Sequence, residues 1–247
     1  MRADPLWFSL FTNAAYKSDE KPFADISSVP GIKNLQENYP EILQELEEYL
    51  VSHKMLGHFN ATMVDAPQSW KVRSLKVWSV EMYEVQEHFK KTMNLLNAVP
   101  GIINIGFNVL EPGAKIKPHG GDTNAIIRCH MGLKVPAPAP TCALKVKGEE
   151  RGWENGKILA FMDAFEHEAW NLSGERRIIL LFDILRPEYR ERKNKICATI
   201  LTSLYLQNIG NFWPGLYKMN RKIFRIALWP FILFLQMAIP LRNSLKK

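Results

Sequence analysis

The chain has 247 residues, a formal net charge of +7 and a composition that is 47% apolar, which is enough to bury a full-sized core in a single β-sandwich or barrel. Its three cysteines, Cys129, Cys142 and Cys197, are odd in number and have no paired-motif spacing, which argues against a disulfide framework and a zinc cluster. Residues 186–247 contain twelve Lys or Arg and two Glu, a charge of +10, which leaves −3 for residues 1–185.

Residues 1–99 have the pattern of helices and strands that support a later core. Residues 40–52 place apolar side chains at helical spacing, with glutamates on the other side. Residues 70–78 alternate imperfectly, as a strand would, and residues 84–96 have the pattern of one helix that ends before Pro100. We therefore predict a buttressing segment that also supplies loops at the mouth of the core.

Two further features of this segment concern secretion and histidines outside the motifs. The apolar patch Leu6 to Phe11 is too short for a secretory signal, so we expect a cytoplasmic chain. His53, His58 and His88 belong to no motif, and we expect them to have structural roles.

Two histidines 48 residues apart, each followed at nearly the same interval by an arginine, are the most informative feature: His119 with Arg128, and His167 with Arg177. Glycines and prolines surround His119, so we expect it in a turn that enters a strand. The residues that follow alternate, which places Arg128 and His130 on the same face. Imidazole is a good ligand for ferrous iron, and guanidinium is the natural partner of carboxylates. The pattern indicates an iron enzyme that consumes a small diacid.

The second histidine lies among clear strand and turn signals. An Asn-Gly pair begins a short apolar strand, a loop carries His167, and Ser-Gly-Glu leads into another strand. On that strand Arg177 and Asp183 share a face. Because a buried guanidinium without a partner is costly, we expect Arg177 at a pocket mouth with an anionic ligand. Asp183 or Glu175 is the alternative partner.

These segments, about residues 100–190, resemble the aspartyl/asparaginyl β-hydroxylase family, a branch of the iron(II)- and 2-oxoglutarate-dependent oxygenases. The resemblance rests on a joint pattern of motifs: Pro118-His119, Arg128-Cys129-His130-Met131-Gly132-Leu133, Trp153-x-x-Gly156, Phe165-Glu166-His167-Glu168-x-Trp170, Arg177 and Asp183-x-x-x-Pro187. It implies a mainly β fold with flanking helices, whose core is a double-stranded β-helix, the cupin-like jelly roll.

The resemblance also implies residue roles. His119 and His167 would ligate Fe(II) and form the catalytic centre. Arg177 would bind the distal carboxylate of the cosubstrate 2-oxoglutarate, and Arg128 and His130 would assist that binding near the metal. Dioxygen would be the second cosubstrate.

Two of these expectations keep an alternative, and Asn108 adds a further expected contact. Most relatives in the wider superfamily have a carboxylate two residues after the first histidine; this chain has Gly121 there, as the resembled family does, which leaves the position to water. Asp122 is the rival ligand, although a one-residue shift along an extended segment turns its side chain away. Asn108 stands where the family often has a serine, and we expect it to contact 2-oxoglutarate. His130 could instead hydrogen-bond a loop.

The last segment, residues 191–247, combines basic, aromatic and apolar residues. Basic residues flank both ends of an apolar run, Ile226 to Leu241, that contains two prolines. Its sixteen residues fall short of the roughly 20 needed to span a bilayer. We therefore expect a helical tail at a membrane surface, drawn to anionic headgroups; a helix folded back on the core, or a dimer contact, is the alternative. Nucleic acid is disfavoured because large aliphatic residues would face water.

The sequence therefore predicts a 2-oxoglutarate-dependent hydroxylase, peripheral on the cytoplasmic face of a membrane. The tail is similar to that of the membrane-associated bacterial lipid hydroxylases of the family, which favours a membrane-lipid acyl chain as the substrate. A peptidyl Asp or Asn is the alternative substrate. A noncatalytic jelly-roll binding module held at a membrane is the alternative from another class.

Overall fold

A computed structural model of the chain describes residues 5–12, 14–212 and 221–245. In this part of the chain the α-helices are α1 (Ile32–Glu37), α2 (Tyr39–Ser52), α3 (Tyr83–Gln86), α4 (Lys90–Asn97), α5 (Lys193–Phe212) and α6 (Arg221–Leu245). The strands are β1 (Leu56–Gly57), β2 (Trp70–Val77), β3 (Val80–Glu81), β4 (Ile102–Leu110), β5 (Ala114–His119), β6 (Ile126–Lys134), β7 (Cys142–Val146), β8 (Glu149–Gly152), β9 (Ile158–Phe161), β10 (His167–Asn171) and β11 (Arg177–Leu185).

The strands form two antiparallel sheets. The larger has the order β1-β2-β4-β11-β6-β9, with β3 paired to β2, and the smaller has the order β5-β10-β7-β8. From β4 to β11 the chain passes repeatedly from one sheet to the other, and a cluster of buried side chains from both sheets fills the space between them. This is the double-stranded β-helix, so the predicted fold class is confirmed.

Strand alternation decides what each face of the larger sheet contacts. On β11, Ile178, Leu180 and Phe182 pack in the cluster that also holds buried residues of α1, α2 and α4. Ile179, between them, belongs to the cluster between the two sheets, and Arg177 is fully buried. The predicted two-residue period on β11 is therefore confirmed.

The buttressing elements differ from prediction in one respect. The predicted helix at 40–52 and the strand at 70–78 are present as α2 and β2. The single helix predicted over 84–96 is wrong, because α3 and α4 are separate. Phe89 lies between them with an extended φ of −130°, and its fully buried ring contacts Tyr49 and Phe107. Burying this ring interrupts the helix.

The tail folds back on the core as two helices. Ile196, Cys197 and Ile200 of α5 are buried in a cluster with β4 and β6 residues. Near the end of α6, the Asn243 amide donates to the Ser79 carbonyl (2.6 Å).

The expectation that the tail is too short to span a bilayer is wrong, because α6 continues through both of its prolines. Within the described residues, Arg225–Leu245 is the helix long and apolar enough, by length and composition alone, to cross a membrane. Its exposed large apolar residues follow the length of the helix: Ile226, Trp229, Phe231, Phe234, Met237, Leu241 and Leu245. We call this row the apolar stripe of α6.

Candidate active site

The two motif histidines lie opposite each other in the smaller sheet. His119 ends β5 and His167 begins β10, and the two residues are partners in the antiparallel register. Their ring centroids are 4.2 Å apart. The expectation that His119 enters a strand from a turn is wrong: alternating Ala114 and Ile116 side chains are buried and place it at a strand end instead.

Backbone contacts orient both imidazoles in the same way. His119 Nδ1 lies 2.7 Å from the Lys117 carbonyl, and His167 Nδ1 lies 2.8 Å from the Phe165 carbonyl. Since a carbonyl can only accept, each Nδ1 carries the proton and each Nε2 keeps a free lone pair. Burial lowers the pKa of His119, and burial followed by the charge of His119 lowers the pKa of His167 well below 6.5. Both rings are therefore neutral near pH 7, the form that binds a metal.

A buried carboxylate, that of Asp163, lies beside the histidine pair and occupies the space next to Gly121. Asp163 is 2% exposed, and its Oδ1 lies 3.6 Å from His167 Nε2. A Cβ atom at position 121 would overlap the Asp163 carboxylate, and the Gly121 N–H donates to the Asp163 carbonyl (2.8 Å). Only glycine fits at position 121.

The sequence analysis missed Asp163. The available signal was an acidic residue inside the otherwise apolar stretch from Ile158 to Phe165, four residues before His167. Such a residue is rarely buried without a charged partner.

That partner is Arg128. Its Nη1 donates to Asp163 Oδ1, while Nε and Nη2 form a fork with the two oxygens of Asp183 at 2.8 and 2.9 Å. Burial lowers the pKa of Arg128, but Asp163 and then Asp183 outweigh it and raise that pKa overall. Asp183 thus pairs with Arg128, and it is not the partner of Arg177.

Arg177 is buried without an acidic partner. It is 1% exposed, no hydrogen bond or ion pair of its guanidinium is found among the described residues, and its Nε is unpaired. Its guanidinium carbon lies 4.5 Å from the centroid of the Trp153 ring, and burial lowers its pKa to about 10, so it is charged at neutral pH. A buried cation of this kind is stabilised by an anionic ligand.

His130 is the second unsatisfied group. It is 7% exposed, and neither ring nitrogen has a partner among the described residues. Its pKa is lowered well below 6.5 by burial and then by Arg177. The alternative, a hydrogen bond to a loop, is not made within the described structure.

Asn108, Asp122 and His58, the last of which belongs to no motif, also line the cavity. The Oδ1 of Asn108 accepts from the Trp70 indole N–H (2.9 Å). His58 is stacked on Trp70 with centroids 3.6 Å apart, and burial lowers its pKa to about 4. Asp122, the rival ligand, accepts hydrogen bonds from the hydroxyls of Ser9 (2.8 Å) and Ser203 (3.3 Å). Its carboxylate is thus engaged by both ends of the chain.

A cavity of about 870 Å³ opens beside part of this site: His119 lines it, whereas His130, His167 and Arg177 do not. Its walls include His119, Asp163 and Arg128 at one place and side chains of β1, β2 and α5 elsewhere. Among the described residues, no group of three or more His, Cys, Asp and Glu side chains is placed to ligate one ion. The donor chemistry nevertheless fits a divalent transition metal, since two neutral imidazoles present free Nε2 atoms beside a carboxylate.

A jelly roll with two opposed imidazoles and a buried, unpartnered arginine defines a cupin-like protein with a two-histidine site. The family model described as "Aspartyl/Asparaginyl beta-hydroxylase" matches residues 36–187. The chain belongs to this family, so the family resemblance is confirmed.

Individual relatives are similar over different shares of the chain. An "Ornithine lipid ester-linked acyl 2-hydroxylase" of Rhizobium tropici is 31% identical over an alignment of 176 residues that covers 69% of this chain and 63% of that protein. An "Aspartyl/asparaginyl beta-hydroxylase" of Homo sapiens is 34% identical over 115 residues, 44% of this chain and 15% of that protein. The chain thus spans less than two thirds of the length of these relatives. A solved 2OG-Fe(II) oxygenase-family oxidoreductase of Burkholderia pseudomallei, 11% identical, covers 62% of this chain and 90% of its own, with a TM-score of 0.43.

Proposed function

We propose that the protein is an Fe(II)- and 2-oxoglutarate-dependent dioxygenase that hydroxylates a C–H bond of a membrane-lipid acyl chain. The observation that carries the proposal is the pair of neutral imidazoles, His119 and His167, together with a buried cation, Arg177, that lacks an acidic partner within the described structure. His130 lies between them: burial and then the charge of Arg177 lower its pKa, and the Phe161 ring contacts both His130 and His167. These groups match a metal and a dicarboxylate better than they match any contact within the chain.

The proposed residue roles follow from side-chain nitrogen atoms that are available to a ligand. The Nε2 atoms of His119 and His167 would hold the metal, and the Arg177 guanidinium would bind the distal carboxylate of 2-oxoglutarate. His130, with two unsatisfied nitrogens beside Arg177, would hydrogen-bond the same ligand. Asn108 would contact it through the second N–H of its amide, since Oδ1 accepts from Trp70 and Nδ2 donates once to the Gly106 carbonyl (3.5 Å).

Arg128 takes a different proposed role from the one the resemblance implies. Its three donating nitrogens are directed to Asp163 and Asp183. It would therefore hold the Asp163 carboxylate beside the metal, where that carboxylate would face a bound water.

The chemistry that iron and 2-oxoglutarate supply, when bound, is oxidation of the acid by dioxygen to succinate and CO2, with one oxygen atom inserted into a substrate C–H bond. The chain's own residues bind, orient and desolvate the reactants. The buried walls around Arg177 and His130 exclude water, and the opposed histidines fix the position at which a substrate C–H must lie.

The proposed substrate class is supported by the C-terminal helix α6 and by sequence similarity to a bacterial relative. The apolar stripe of α6 is exposed, with Arg225 directly before it and Arg242 in its last turn, which suits a membrane surface with anionic headgroups. The bacterial relative that acts on a lipid acyl group is similar over 69% of this chain. Arg225 lies 5.4 Å from the centroid of the Phe11 ring, and Arg242 donates to the Glu81 carbonyl, so both ends of α6 contact the domain. These contacts favour a helix that lies on the membrane surface over one that crosses the bilayer.

The test is mass spectrometry of lipid extracts and protein digests, incubated with the purified protein, Fe(II), 2-oxoglutarate and 18O2. We expect 18O in a lipid acyl chain together with an equal amount of succinate, and neither with the His167→Ala variant. Label in an Asp or Asn side chain would make the peptidyl alternative correct. Absence of succinate with every extract would contradict the proposal and favour a noncatalytic binding module.

A further inference from the structure

One wall of the active-site cavity is formed by α5, which lies outside the residues that match the family. Leu201, Leu204 and Tyr205 of this helix line the same cavity as His119. The helix is held there by its buried cluster and by the hydrogen bond from Ser203 to Asp122, three residues after His119. The tail is thus part of the active-site architecture.

The mouth of the cavity is apolar and continuous with α6. Leu56, Phe59 and Tyr205 line the cavity and are also 58%, 46% and 57% exposed. The Tyr205 ring lies 5.9 Å from the ring of Phe231 on α6. Apolar surface therefore runs from the cavity wall to the helix that carries the apolar stripe, an arrangement typical of a surface that contacts membrane or ligand.

We propose that the hydrocarbon chain of the substrate lies along α5, in contact with Leu201, Leu204 and Tyr205, and enters from the bilayer beside α6. This inference rests on the proposed hydroxylase function and specifies where the acyl chain binds. The residues on α5 would then set how long a chain the site accepts and which carbon reaches the histidine pair.

The chemistry of this wall favours a hydrocarbon over a peptide. The α5 backbone is hydrogen-bonded within the helix, and its cavity side presents Leu201, Leu204 and Tyr205 with a single amide, Gln207, whose Nε2 already donates to the Ser203 hydroxyl (3.4 Å). An extended peptide needs partners for its successive N–H and C=O groups, and one side-chain amide on this wall does not supply them. An acyl chain needs only apolar contact, which strengthens by about fourfold in Kd for each methylene buried.

The experiment is calorimetric titration of the full-length protein with 1-monoacylglycerols of increasing chain length. These probes carry no carboxylate that Arg177 could bind. The wild type should bind more tightly with each added methylene until the cavity is filled. In the Leu201→Trp variant the gain should stop at a shorter chain. Leu206→Trp is the matched control: Leu206 is partly buried on the same helix but does not line the cavity, so its chain-length limit should equal that of the wild type.

A second variant does not depend on repacking the wall. Tyr205→Asp places a carboxylate at the exposed, apolar mouth and should weaken binding of every chain length at least tenfold, with an unchanged melting temperature. Equal chain-length limits for the wild type, Leu201→Trp and Leu206→Trp, or no effect of Tyr205→Asp, would overturn the inference. So would failure of the wild type to bind any probe.

Failure of this inference can be told apart from failure of the proposed function. A wild type that forms succinate with a lipid extract, while the α5 variants bind probes normally, contradicts the α5 wall alone. A wild type with chain-length-dependent binding but no succinate supports the wall and contradicts the enzyme.

Discussion

Replacing Arg177 by methionine separates ligand binding from folding. In the folded chain the guanidinium is 1% exposed, has no acidic partner among the described residues, and has a pKa that burial lowers to about 10 from the ordinary value of an arginine. A shift of that size corresponds to a cost of roughly 3 kcal/mol for keeping the charge, part of which the contact with Trp153 offsets. Methionine fills similar volume without the charge. We therefore expect the ligand-free variant to be more stable by about 1–2 kcal/mol, a rise of a few degrees in Tm.

Cosubstrate binding should change in the opposite direction. Two charge-assisted hydrogen bonds to a carboxylate contribute about 3–4 kcal/mol together, so the Kd for 2-oxoglutarate should rise roughly 10²- to 10³-fold. The assay is calorimetric titration of 2-oxoglutarate in the presence of Mn(II), with thermal melts of the ligand-free protein.

The neighbouring Arg176 provides the control. It is exposed and lies 3.7 Å from Glu111, so Arg176→Met should leave Kd and Tm nearly unchanged. A 2-oxoglutarate Kd within threefold of the wild type for Arg177→Met would refute the assigned role of Arg177. A fall in Tm typical of a core defect would refute the claim that the unbound guanidinium is an unfavourable group.

Three further outcomes are expected. Gly121→Ala should destabilise the fold by about 1–3 kcal/mol in urea denaturation, because the added Cβ overlaps a buried carboxylate. Gly120→Ala, whose Cβ would make only ordinary contacts, should not destabilise it. Equal urea midpoints for the two variants would contradict this. His58 has a pKa of about 4 in the folded chain and 6.5 in the unfolded chain, so its stabilising contribution is full above pH 6.5 and is lost as pH falls towards 4. The His58→Phe variant should therefore show a smaller change in unfolding free energy with pH across that window. A pH dependence equal to that of the wild type would contradict this. Replacing Trp229 by Ser and Phe234 by Asp should weaken sedimentation with phosphatidylglycerol vesicles by tenfold or more, because both side chains are exposed on α6; wild-type binding would count against membrane contact.

Local pattern predicted the strands of the core correctly. The two-residue period of β11 follows from a sheet with different environments on its faces, and the alternating residues from Arg177 to Asp183 lie where that period places them. The family resemblance predicted that His119 and His167 lie at one site, and their ring centroids are 4.2 Å apart. The boundaries at residues 99 and 190 stay predictions, although β2 pairs with β4 across the first of them.

Contacts distant in sequence account for what was missed. Asp163, just after β9, contacts Gly121, just after β5, only because the fold brings these two segments together. The split between α3 and α4 depends on Phe89 packing against Phe107, which lies on a strand of the sheet. The fold of α6 back onto Ser79 likewise has no local signal. Each depends on tertiary packing, which overrides helical and strand periodicity.

The most direct test of the site is anaerobic Fe(II) binding by the ligand-free protein, measured as bound metal per chain after desalting. The wild type and His53→Ala, whose ring stacks on Tyr49 away from the site, should each bind one ion per chain. His119→Ala and His167→Ala should each lose it while keeping the wild-type circular dichroism spectrum. Retention of one ion per chain by either of these two variants would contradict a metal centre at this pair.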